Sequence, residues 1–77
     1  MKVVYDKSID AVYIYFEEIP TGGILNTYQC DPAEVGCEIN LDFDKDNRLI
    51  GIEIHSASKH ASIAVLEKAT QRGDSSW

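Results

Sequence analysis

Residues 37–54, CEINLDFDKDNRLIGIEI, can satisfy their own hydrophobic pattern in only one register, and this constrains the fold more than any other stretch of the chain. Cys37, Ile39, Leu41 and Phe43 alternate with Glu38, Asn40, Asp42 and Asp44. Successive side chains of a strand point to opposite faces, so this arm has one apolar and one wet face. In the second arm Ile50, Ile52 and Ile54 share a face, and Gly51, Glu53 and His55 share the other. The apolar sets meet on one side of a sheet when Phe43 faces Ile50, Leu41 faces Ile52 and Ile39 faces Ile54. A slip of one residue would turn every isoleucine to solvent. This register leaves an even-numbered loop centred on Asp46-Asn47. Both residue types tolerate the positive φ that a two-residue type I′ turn needs at its central positions. Pattern and turn chemistry therefore predict the same hairpin.

The rest of the chain adds elements of known period. Met1–Tyr5 and Ala11–Phe16 read as strands around the turn DKSID. In the second, Val12, Ile14 and Phe16 form one face, and Ala11, Tyr13 and Tyr15 the other. PTGG at 20–23 is a loop, and Ile24–Cys30 contains a further strand. Asp31-Pro32 can start a single helical turn, with Asp as cap and Pro at the first position. Beyond Ile54, Ala57, Ala61, Ala64, Val65 and Ala69 recur at helical spacing, and Leu66 widens the stripe. With Ser56 or Ser58 as cap, this predicts a helix from about Lys59 to about Thr70. Its stripe is expected on the sheet face of Val12, Ile14, Leu41 and Ile52. The expected fold is α+β: a small, hairpin-rich antiparallel β-sheet of about four to five strands, with one C-terminal α-helix packed on one face. One domain is expected over residues 1–70, and a flexible C-terminal tail over 71–77.

A chain of 77 residues has room for one domain, and 44% hydrophobic with 26% charged residues is globular rather than disordered. So short a chain buries only about 60% of its unfolded surface, which makes self-association a common remedy. The net charge of −6 repels phosphate, so direct nucleic-acid binding is not expected and a basic protein partner is. No apolar run approaches the roughly 20 residues that span a bilayer. MKVVYDKS lacks the long apolar region of a signal peptide, which makes the cytoplasm the expected location and membrane binding unexpected. Cys30 and Cys37 bracket the loop DPAEVG, but in a reducing compartment they are expected to stay unpaired.

Several side-chain groups point to chemistry. Asp42, Asp44 and Asp46, with Glu53 at the twelfth position, match a calcium-loop spacing. The β flanks oppose it, because Glu53 sits mid-strand, over ~10 Å from the turn at about 3.4 Å per residue. No metal and no cofactor are expected. Asn40, Asp42, Glu53 and His55, joined by Asp10 and Tyr13, form a polar face where a histidine beside carboxylates can do general acid–base work. An ordinary wet sheet face accounts for the same residues, and the chain is read as non-enzymatic. His60 lies on the predicted helix, away from this group. Tyr13 and Tyr15 lie on the face the helix does not cover, and tyrosine is a common interface anchor. Cover from a second chain or a partner is expected there. Arg72-Gly73-Asp74 is taken as a chance tripeptide.

Tyr5-Asp6, Asp10-Ala11-Val12-Tyr13-Ile14, Asp42-Phe43-Asp44, Gly51-Ile52-Glu53-Ile54 and Ala57-Ser58 together resemble the small, mostly prokaryotic family DUF2283, a domain of unknown function. The chain departs from the pattern in three places. Asp46-Asn47 stands where Asp-Gly is usual, the loop through Gln29-Cys30-Asp31-Pro32 is longer, and the tail after Ala69 lies outside. The resemblance implies a few-stranded antiparallel sheet with a C-terminal helix, and no activity. It also implies, by association of members with small RNase-toxin-like proteins, an antitoxin-like role. The expected function is thus a protein-interaction module, with Tyr13, Tyr15, Asp10, Glu53 and His55 as partner-binding candidates against a small basic protein or a second copy. The alternatives are a small-ligand or metal-binding domain built on Asp42, Asp44 and Asp46, and a small enzyme using His55 and Glu53.

Overall fold

The structure, a computed structural model, describes residues 1–71. Its elements run β1 (Lys2–Asp6), β2 (Ala11–Tyr15), β3 (Asn26–Gln29), α1 (Pro32–Val35), β4 (Ile39–Phe43), β5 (Leu49–His55), α2 (Ala57–His60), α3 (Ile63–Lys68) and β6 (Thr70–Gln71). The strands form one sheet in the order β3-β4-β5-β2-β1-β6. All neighbours are antiparallel except β6, which runs parallel to β1. The architecture is α+β, as expected, with six strands rather than four to five. The added strand is β6, which occupies the open edge of β1 through Thr70 opposite Val4 and Gln71 opposite Tyr5. Gln71 is therefore in the sheet, while Arg72-Gly73-Asp74 and the remainder of the expected tail lie outside the described residues.

The central hairpin holds its expected register away from the turn and loses it near the turn. Ile39 faces Ile54 and Leu41 faces Ile52, but Phe43 faces Leu49, with a shift between Asp42 and Phe43. The cause is the loop. Asn47 N–H donates to the Asp44 carbonyl, Asp44 N–H donates to the Arg48 carbonyl, and of the central loop residues only Asn47 has a positive φ, of 63°. This is the three-residue hairpin loop that ends in a left-handed residue, not a type I′ turn. The Asp44 carboxylate selects it by accepting from the Asp46 and Arg48 amides. An odd loop displaces the arms by one residue, and an extra residue at Ile50 restores the pairing from Asp42–Gly51 onward. Ile50 is only 2% exposed and walls a cavity with Pro20, Gly23 and Leu25.

The helical turn at Asp31-Pro32 forms as predicted. The Asp31 carboxylate accepts from the Ala33 amide, and Gly36 closes the turn in the left-handed conformation. The single C-terminal helix does not form. Ala61 and Ser62 are extended, and the Ser62 hydroxyl caps a new start by accepting from Val65 N–H. A serine inside an alanine-rich run thus stops one helix and begins the next. Neither predicted cap acts through its side chain: Ser56 makes no cap bond, and Ser58 turns to Asp10 instead.

The strand registers sort the side chains into two faces. Tyr28, Leu41, Ile52, Ile14 and Val3 form one continuous row across five strands, with Ile39, Ile54, Val12 and Tyr5 beside it. α2 and α3 lie on this face. α2 packs on β2 and β5, and α3 packs on β1, leaving the β3–β4 half without a helix as a main neighbour. Burial is correspondingly sparse. The apolar core consists of Ala11, Val12, Cys37, Ile50 and Ala57, whereas Ile14, Leu41 and Ile52 stay half-buried. Cys30 and Cys37 are both free thiols. No helix among the described residues is long and apolar enough to cross a membrane.

Candidate functional site

The opposite face of the sheet carries the charge. Its rows are Gln29–Asn40–Glu53–Tyr13–Val4 and Thr27–Asp42–Gly51–Tyr15–Lys2, followed by His55–Ala11–Asp6 at one end. Asp42 lies at the centre and is 6% exposed. It accepts the Tyr13 hydroxyl at 2.5 Å and the Thr27 hydroxyl at 2.5 Å. Hydroxyl donors to an ionised carboxylate make the stronger class of hydrogen bond, which a carboxylate withdrawn from water requires. No buried side-chain nitrogen or oxygen among the described residues lacks a partner.

Tyr13 reaches Asp42 by lying across Gly51. A Cβ at Gly51 would stand 2.6 Å from the tyrosine ring, so only glycine lets the ring rest on the strand. Burial, then the Asp42 hydrogen bond and charge, push the Tyr13 phenol far above its usual range. Tyr15 tilts against Tyr13 with ring centroids 4.4 Å apart, at a spacing typical of attractive aromatic pairs. Both rings are half-buried against their own sheet.

A second group adjoins the first. The His55 Nε2 lies 3.2 Å from Glu53 and 3.7 Å from Glu38. Asn40 donates to both glutamates, at 3.1 Å to Glu53 and 3.2 Å to Glu38. His55 thus sits between carboxylates that a side-chain amide holds apart. Of the expected partner-binding residues, Tyr13, Tyr15, Glu53 and His55 share this face. Asp10 does not join them. Its carboxylate accepts the Tyr5 hydroxyl at 2.8 Å, the Ser58 hydroxyl at 2.8 Å and the Ser58 amide at 3.0 Å. Its carbonyl accepts from Ala57 N–H. Hydrogen bonds from Ser58, then from Tyr5, hold the Asp10 carboxyl below the usual range. Asp10 is a clasp between the first hairpin and α2, held at a positive φ of 51°.

The calcium-like spacing is dispersed. Asp42 is in the sheet, Asp44 binds the loop backbone, and Asp46 is exposed at the tip. Among the described residues no three His, Cys, Asp or Glu side chains gather to hold a metal ion. The depression beside Tyr13, Tyr15 and Glu53 has a volume of about 80 Å³. Pockets for small organic ligands run to roughly 300–1,000 Å³. Glu53 borders this depression, with His55 3.2 Å from its carboxylate. The surface is instead broad, acidic and aromatic, with side chains fixed by mutual hydrogen bonds.

Sequence reasoning missed Thr27, Glu38 and the particular role of Gly51. A glycine between Ile50 and Ile52 in a strand is itself the signal of a close approach by another group. Thr27 gave none, because its neighbour Asp42 is set by a strand pairing that no local pattern encodes.

Comparison with curated proteins and with solved structures gives no significant match to either. A family profile, described as a protein of unknown function, matches residues 2–58, which spans β1 through the first residues of α2 and includes both aspartate clusters. By that match the chain belongs to the DUF2283 family.

Proposed function

We propose that this protein is a non-enzymatic protein-interaction module whose acidic, tyrosine-bearing sheet face binds a small basic protein in an antitoxin-like manner. The observation that carries the reading is the segregation of charge. Asp6, Glu38, Asp42, Glu53 and His55 all fall on one face, with Lys2 at its β1 edge, while the strand positions of the other face carry no ionisable residue except Tyr5 and Tyr28. A one-signed face steers oppositely charged partners and repels phosphate. The Asn40 and Tyr13 hydrogen bonds fix these side chains before binding, which lowers the entropic cost of association. The shallow relief favours a protein surface over a small molecule.

Co-expression with small basic proteins encoded beside its gene tests this. A complex is expected at 50 mM salt that weakens as salt rises, and that Glu38→Lys/Glu53→Lys abolishes while Lys7→Glu spares it. Failure of the wild type to co-purify with any such neighbour at low salt would refute the reading.

A further inference from the structure

The two faces of the sheet are unequal in a way the acidic-face reading leaves unused. Across the helix-side face runs the row Tyr28–Leu41–Ile52–Ile14–Val3, about 19 Å long at ~4.8 Å per strand. At its β1 end the row is flanked by α3, where Ala64 and Val65 line an open depression of about 280 Å³ with Met1, Val3, Ile14 and Phe16. At its β3 end there is no such flank. Tyr28 is 61% exposed, and Leu41 and Ile52 are half-buried. An apolar surface of this extent on a chain with so small a core marks a contact site.

We infer that this face binds a second copy of the same chain, in a two-fold dimer that sets α3 of each copy on the bare β3–β4 strands of the other. Charge selects the occupant. The strand positions here carry no carboxylate, so two copies of a chain of net charge −6 can approach without opposing acids. Face-to-face contact through the other side would set Glu38, Asp42 and Glu53 against their own counterparts. A basic partner, conversely, would find no carboxylate at these strand positions to pair with its lysines and arginines. Shape selects the symmetry. A two-fold axis lying in the interface, parallel to the strands, sets the α3-flanked half of one face against the bare half of the other, so each ridge meets a flat surface and the contact is self-complementary. Ile63, 74% exposed on α3, and Tyr28 on β3 are the side chains placed to fill this contact. The molecule measures 34 × 32 × 20 Å, and a face of those two longer dimensions can supply the roughly 800 Å² per partner of a standard interface. The dimer would leave both acidic faces outward.

Sedimentation equilibrium of the full chain between 1 and 100 µM tests the inference. The wild type is expected to dimerise, with an affinity that holds or rises from 50 to 500 mM salt. This separates it from the acidic-face contact, which must weaken over the same range. Tyr28→Asp and Ile63→Asp alter side chains already exposed in the single chain, so their circular dichroism should match the wild type, and each should weaken the dimer at least ~100-fold. Tyr15→Ser, on the other face, should leave the dimer intact. A wild type that is monomeric at 100 µM would overturn the inference. So would a dimer that Tyr15→Ser disrupts and Tyr28→Asp does not.

Discussion

Two aspartates organise this molecule with the same parts and to different ends. Asp10 accepts one tyrosine hydroxyl, from Tyr5, and one hydroxyl from Ser58; Asp42 accepts one tyrosine hydroxyl, from Tyr13, and one hydroxyl from Thr27. Asp10 sits at the rim, where it joins the β1–β2 turn to α2 across 48 residues of sequence. Asp42 sits inside the sheet at 6% exposure, where it joins β2, β3 and β4 across one face. The contrast lies in the solvent. A rim carboxylate that loses a partner can turn to water, whereas a withdrawn one leaves its donors unsatisfied. The first is therefore a fastening, and the second a structural centre for the acidic face.

The largest expected effect is at the centre. Asp42→Ala should destabilise by about 2–3 kcal/mol in urea unfolding, because two hydroxyls lose a charged acceptor and the relief of its desolvation offsets only part of that. A loss under ~0.5 kcal/mol, usual for surface positions, would place Asp42 on a par with Asp10 and remove the distinction. Gly51→Ala comes next. A methyl group there would displace the Tyr13 ring from the strand and from Asp42, at about 1–3 kcal/mol for overpacking. Its mark should be a change in Tyr13 ring resonances that Asp10→Ala does not produce.

Asp10→Ala should lower the unfolding midpoint less than Asp42→Ala does, and should speed hydrogen exchange at the Ser58 amide that the Asp10 carboxylate now holds. Its pH signature gives a second check. The folded-state pKa of Asp10 is lowered, so its contribution is present above the unfolded value of about 3.9 and is lost as pH falls through the folded one. The variant should flatten that part of the acid limb. Tyr13 works in the opposite direction. Its pKa is raised, so its contribution is complete below about 10 and lost as pH climbs beyond it, and Tyr13→Phe should flatten the alkaline limb. Asn47→Gly should have the smallest effect, within ~0.5 kcal/mol in the same unfolding assay. Glycine relieves the cost of φ 63° but adds unfolded-state entropy.

What could be read in advance follows the range of the interaction. Alternation in Ile39–Phe43 and Ile50–Ile54 depends on near neighbours, and it placed Leu41 opposite Ile52 and the polar residues on a common face. The Asp31-Pro32 turn was legible for the same reason. The two-residue loop was not, because the Asp44 carboxylate preferred the backbone of Asp46 and Arg48, and a bulge at Ile50 hid the difference from the pattern. The unbroken helix failed at Ser62, whose hydroxyl competes for a backbone amide. The candidate site was half legible. Tyr13, Tyr15, Glu53 and His55 share a face by parity alone, but Asp10 left the group for Ser58, a partner fixed only when α2 docks. The motifs that carry the family resemblance gain a physical reading from this. Tyr5, Asp10, Ala57 and Ser58 are the parts of the clasp, and Tyr13, Asp42 and Gly51 are parts of the centre.

A double-mutant cycle between Tyr13→Phe and Asp42→Asn, read by urea unfolding at neutral pH, tests the central role of Asp42 most directly. If the Tyr13 hydroxyl and the Asp42 carboxylate form one unit across the sheet, the two losses should fall short of additivity by about 1–2 kcal/mol, within the range for residues in direct contact. Losses that add to within ~0.3 kcal/mol, as for independent sites, would contradict it.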